Sequence, residues 1–195
     1  MDKESERAFV ESFTEALVSL PFDMKVLVEA VVDPDLPVPS RELSAAVLIH
    51  IFNPKDGHVE AYLRHTEDVV LVRLALNKIR AQSDEATQDF VAHWSESFDA
   101  LDESLARYRA AFGDDVIDWL DGRWPVLRKG LYAKKHAAQY VQDEDLAKKL
   151  YDHASDFATD YPVTERSLAG RVRQLSSFVE HLQRKREQDK LMIHS

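Results

Sequence analysis

The chain contains no cysteine, and its five glycines and seven prolines are thinly spread over 195 residues. Without thiols it can form neither a disulfide nor a thiolate metal site, and a reducing compartment accommodates that composition. No phosphate-cradling glycine loop and no Gly-x-Ser-x-Gly nucleophile turn occurs. No apolar run approaches the roughly 20 residues that span a bilayer. The longest, 69–76, is interrupted by Arg73. The opening stretch MDKESERAFVESF is acidic and amphipathic, unlike the basic and apolar regions of a secretory leader. A cytoplasmic chain is expected. Period-2 alternation is also missing, so strands are not expected.

What is present is helical periodicity, in a chain that is 45% hydrophobic and 31% charged. It reads as one all-α domain over 1–195, a compact bundle of about eight helices with a long C-terminal helix. Phe9, Phe13 and Leu17 stripe a first helix over 4–19 that Pro21 should end. A second covers 23–32 and stops at Asp33-Pro34. Pro39 suits the first turn of a third, which runs to Phe52. Asn53-Pro54 stops it, and a fourth begins somewhere in 58–66 and runs to about Ala81. Ser83 should cap a long fifth helix with the seam Trp94, Phe98, Leu101, Leu105, Tyr108 and Phe112, closed by Gly113. A sixth carries Val116, Ile117, Trp119 and Leu120. Pro125 kinks it or opens a seventh reaching about Tyr140. An eighth starts at Asp143. The last, over 163–195, takes Thr164 as N-cap and Val163 with Leu168 as a hydrophobic staple. Its seam Leu168, Val172, Leu175, Val179, Leu182 then meets Arg186 and Asp189, where the tail should fray or project.

The net charge of −10 is unevenly distributed. Between Ala81 and Gly122 eleven Asp/Glu face only Arg107 and Arg109; between Arg123 and Lys149 seven Lys/Arg face three acids. The final helix, from Val163, holds seven basic and four acidic residues. Acidic and basic helices packed side by side are the simplest reading of this alternation; an acidic face for a basic partner is the other. A general nucleic-acid binder is disfavoured, because affinity there comes from neutralised phosphates.

Residues 33–79, DPDLPVPSRELSAAVLIHIFNPKDG followed by EDVVLVRLALNKI, resemble the YkvA-like domain-of-unknown-function family of bacteria. The shared features are Asp33, Pro34 and Pro37, then Asn53, Pro54 and Asp56, then Glu67-Asp68 where that family has an acidic pair. Its Ile-Pro-Asp turn is replaced here by His58-Val59-Glu60. The resemblance implies a helical hairpin over 33–80 around the Asn-Pro corner, and it brings no activity with it.

The sharpest chemical pattern is His50, Asp56, His58, Glu60, His65, Glu67 and Asp68. Imidazoles and carboxylates suit zinc, iron or manganese, so a metal-dependent hydrolase or a small-ligand-binding protein centred on residues 50–68 is one reading. No His-x-x-x-His or Glu-x-x-His pair supports it. The heavier reading is a corner between helices, with Glu60, Glu67 and Asp68 favouring a helix N-terminus and Glu60–Arg64 an i,i+4 pair. On that reading no cofactor is needed. The chain is then a non-catalytic interaction or scaffolding module, binding a protein partner or a second copy through helices. Peripheral membrane contact through the basic segment 123–149 is a lesser alternative.

Overall fold

The structure, a computed structural model, describes residues 2–53, 59–168 and 175–193. Helix α1 covers Lys3–Val32, α2 Val38–Phe52, α3 Ala61–Arg64 and α4 Thr66–Arg80. Then follow α5 (Glu85–His93), α6 (Ser95–Phe98), α7 (Leu101–Phe112), α8 (Asp114–Asp121) and α9 (Trp124–Leu127). The chain continues through α10 (Ala137–Gln142), α11 (Glu144–Asp160), α12 (Glu165–Leu168) and α13 (Leu175–Ile193). No strand occurs among the described residues; an isolated bridge joins Tyr132 and Lys135. No helix among them is long and apolar enough to cross a membrane.

Helix α2 is the centre of the bundle. Its continuous buried run from Leu43 to Ile49 is apolar on every face apart from Ser44, as a helix enclosed on all sides must be. Helices α1, α4, α10 and α11 pack around it. A second layer forms where α7 and α13 close over the start of α1. There Phe13 is fully buried and meets Phe9, Tyr108, Phe112 and Phe178 with ring centroids 5.0–5.4 Å apart.

Pro21 does not end the first helix: α1 runs through it. A proline has no N–H for the carbonyl four residues back, here that of Leu17, and an orphaned buried carbonyl normally breaks a helix. The Tyr161 hydroxyl, at the end of α11, donates to the Leu17 carbonyl at 2.7 Å and takes the missing donor's place. Tyr161→Phe should therefore cost about 1–3 kcal/mol in chemical denaturation, the range for an orphaned buried acceptor. The cost should shrink in a Pro21→Ala background, where residue 21 regains its own N–H. Equal costs in both backgrounds would contradict the substitution of donors.

Other boundaries also shift. Asp84, not Ser83, caps α5, accepting from the Thr87 backbone at 2.9 Å and its hydroxyl at 2.8 Å. The expected long fifth helix is three pieces, α5 to α7. Phe90 and Phe98 stack edge to face at 6.5 Å; on a straight helix the eight-residue step would hold them about 12 Å apart. The break at Trp94 lets them meet. Pro125 opens only the single turn of α9. The chain then forms a tight turn, and Tyr140 belongs to the separate α10. Thr164 does cap, its hydroxyl accepting from the Ser167 backbone at 3.1 Å, and Val163 and Leu168 are both buried. Val172 lies outside the described residues. Fraying after Leu182 is not seen among the described residues: α13 continues to Ile193.

Candidate functional site

Four of the seven residues flagged around the Asn-Pro corner converge. The last turn of α2 supplies His50, the α3–α4 junction supplies His65, and the first turn of α4 supplies Glu67 and Asp68. A helix N-terminus is a favourable place for two carboxylates, yet these two are enclosed rather than solvated: Glu67 is 1% exposed and Asp68 0%. His65 Nδ1 lies 2.8 Å from Asp68 Oδ2, and its ring is boxed by Phe157 and Tyr161 at 5.7 and 5.1 Å. His50 Nε2 stands 3.4 Å from Glu67 and 3.6 Å from Asp68. Glu60 is exposed at the start of α3. Asp56 and His58 lie outside the described residues.

The carboxylates are met by partners far away in the sequence. Arg123, between α8 and α9, pairs with one Glu67 oxygen, and Lys185 on α13 pairs with the other. Arg123 Nε also reaches Asp189 at 3.2 Å, and Arg186 pairs with Asp115 at the start of α8. This is the reason α13 stays helical: where its apolar seam ends, Lys185, Arg186 and Asp189 continue it as a seam of charge.

Burial alone would raise the Glu67 pKa, but His50, Lys185 and Arg123 outweigh it and hold the carboxyl well below its ordinary range. Burial, with a smaller push from Asp68, drives the Tyr161 hydroxyl far above the ordinary phenol range, so it remains a donor. Both Glu67 oxygens already face cations, and among the described residues no group of three His, Asp or Glu is arranged to hold a metal ion. The cluster's chemistry is mutual neutralisation of buried charge. A second buried pair, Asp23 with Arg73 at 2.8 Å, links α1 to α4 in the same way.

Two open features lie along α1. Between α1 and α11 a groove of about 280 Å³ is lined by Pro21, Phe22, Lys25, Val28, Tyr151 and Ala154. Phe22 and Tyr151 remain 47% and 39% exposed, large values for aromatic residues. Further along α1, a cleft of about 980 Å³ opens towards α5. Its walls carry Glu29, Asp33, Asp35, Asp84, Glu85 and Asp89, and Phe90, His93 and Trp94 also line it. Lys25 bridges the two features: it lines the groove while its ammonium sits 5.6 Å from the centre of the Trp94 ring.

No known family, curated protein or solved structure matches this chain. The reading of function therefore rests on these surfaces and on the buried network.

Proposed function

We propose that the chain is a non-catalytic interaction module of the bacterial cytoplasm, whose α1–α11 groove receives a basic amphipathic helix from a protein partner. The observation that carries this reading is the juxtaposition on α1 of an exposed apolar groove with a cleft walled by six carboxylates. Helix-in-groove recognition needs an apolar trough for anchor residues and a flank of opposite charge to orient the ligand. Exposed aromatics such as Phe22 and Tyr151 are the residue type that supplies binding hot spots. The trapped Lys25 ammonium beside Trp94 is a local instance of the cation–aromatic contact that a lysine of the partner would make.

A metal-dependent hydrolase centred on residues 50–68 draws support from the convergence of His50, His65, Glu67 and Asp68. The pairing of Glu67 with Arg123 and Lys185 weighs against it. Kinship with the YkvA-like family over residues 33–79 is proposed on the motif residues alone and adds no chemistry.

The test is titration of the full chain with a designed Leu/Lys amphipathic helix and with its Leu/Glu counterpart, followed by tryptophan fluorescence. The basic helix should bind and the acidic one should not. Phe22→Asp with Tyr151→Asp, both on the surface, should weaken binding at least tenfold while the helical signal is unchanged. Equal binding of the two peptides, or binding unaffected by the paired substitution, overturns the reading. So does concentration-dependent dimerisation that the same substitutions abolish, which would make a second copy the occupant.

A further inference from the structure

The segment after α9 is unlike the rest of this acidic chain. From Trp124 to His136 it holds Arg128, Lys129, Lys134 and Lys135 and no Asp or Glu. Arg128, Lys129 and Lys134 are exposed, and among the described residues none of the four cations takes part in an ion pair. Interleaved with them are two aliphatic side chains in water: Val126 at 60% exposure and Leu131 at 47%. Elsewhere the basic residues Arg73, Arg123, Lys185 and Arg186 are paired with carboxylates.

The backbone that presents this patch is held firmly. Tyr132 and Lys135 exchange hydrogen bonds of 3.0 and 2.9 Å around a two-residue turn. The residues inside it, Ala133 and Lys134, have φ of 47° and 65°, the left-handed region that non-glycine residues enter at a cost. The Tyr140 hydroxyl fastens the turn by donating to the Tyr132 carbonyl at 2.7 Å. Gly130, just before it, packs close to the preceding turn: a Cβ there would come 3.0 Å from the Leu127 carbonyl. The result is a firmly held segment that carries two exposed aliphatic side chains and four basic residues.

We infer that this turn is a peripheral membrane-docking element, in which Val126 and Leu131 enter the interface of an anionic bilayer while Arg128, Lys129, Lys134 and Lys135 meet its phosphates. Three observations favour lipid over a nucleic acid. The exposed apolar groups are aliphatic, which suits the acyl boundary rather than base stacking. The nearby aromatics are engaged: Tyr132 packs on Phe52 and His153 at 5.5 and 5.1 Å, and the Trp124 indole N–H donates to Asp121. The chain's net charge of −10 repels a long polyanion that would wrap it, whereas a flat surface can meet one basic segment alone. Each basic residue beside an anionic leaflet contributes roughly fivefold to partitioning, and salt screens that contribution within about 10 Å.

The experiment is co-sedimentation of the full chain with phosphatidylcholine vesicles, with and without phosphatidylserine, at low and high salt. Binding is expected only to the phosphatidylserine vesicles and should fall steeply with salt. Lys134→Glu with Lys135→Glu should reduce it at least twentyfold. Leu131→Ser, which keeps the charge, should reduce it severalfold at every salt concentration. Leu131 and Lys134 are exposed and Lys135 is half-buried, and the helical signal serves as the folding control. Equal sedimentation with neutral vesicles, no sedimentation with either, or an unchanged affinity of the charge-reversed variant overturns the inference. Tighter binding to single-stranded polynucleotide than to vesicles also overturns it, assigning the patch to nucleic acid instead.

Discussion

Glu67→Ala should lower the free energy of unfolding at neutral pH by about 3 kcal/mol, measured by urea denaturation. That is the low end of the range for breaking a buried ion pair, because the side chains of Arg123 and Lys185 keep 16% and 29% of their exposure. The substitution leaves Lys185 without its carboxylate and Arg123 with Asp189 alone, and it releases His50. The pH dependence has a definite sign. The folded carboxyl is depressed below its ordinary value of 4.5, so its stabilisation is complete above that pH. It is lost as the pH falls through the lower, folded value. The gap between parent and variant should be level from neutrality down to about pH 4.5 and close below it. A deficit under about 1 kcal/mol at pH 7 would mean that the cluster is not the joint described here. The variant should also loosen α13, read as faster amide exchange around Lys185.

Arg73→Met should cost as much or more, about 3–5 kcal/mol, because it leaves the Asp23 carboxylate unpaired in the core. The Arg73 guanidinium bonds Asp23 at 2.8 Å and also donates to the Ser97 carbonyl at 3.3 Å, tying α1, α4 and α6 together. Here the linkage runs the other way from Glu67. Burial raises the Asp23 pKa even against the opposing effect of Arg73 and of the Ser19 hydroxyl. Without the arginine it rises further, so the folded variant favours the neutral acid and gains relative stability as the pH falls towards that raised value. Its deficit should be greatest at neutral pH and shrink on acidification. Adding Asp23→Asn should recover much of the loss; a double variant no more stable than the single one would place the cause elsewhere.

The helical class and the buried stripe of the first helix were legible because the signals were local. Phe9, Phe13 and Leu17 lie four residues apart, and all three are buried. Boundaries failed where a distant residue changed the local rule. Pro21 should stop a helix, and only the knowledge that Tyr161 arrives at Leu17 reverses that expectation. The fifth helix breaks because Phe90 and Phe98 pack on each other, which no periodic pattern announces. The polar corner was half legible. His50, His65, Glu67 and Asp68 were visible as a set, but their partners Arg123 and Lys185 stand 56 and 118 residues from Glu67. One sign of them was available: Leu182, Lys185, Arg186 and Asp189 keep the three- and four-residue steps of the apolar seam, so charge takes over the register that Leu182 leaves. The α1 groove carried no comparable signal, because it requires Phe22 and Tyr151 to be neighbours and nothing local pairs them.

The hydroxyl that replaces the missing donor of Pro21 also bears on synthesis. Tyr161 reaches Leu17 across 144 residues, so at roughly 5–20 residues per second the ribosome delivers it some 7–30 s after the helix it completes. Until then the carbonyl of Leu17 lacks its donor, and the ring of Phe13 lacks Phe178, which emerges later still. The stretch of α1 around Leu17 is therefore completed late, and a nascent chain stalled before Tyr161 holds a carbonyl still seeking the donor that the finished protein supplies.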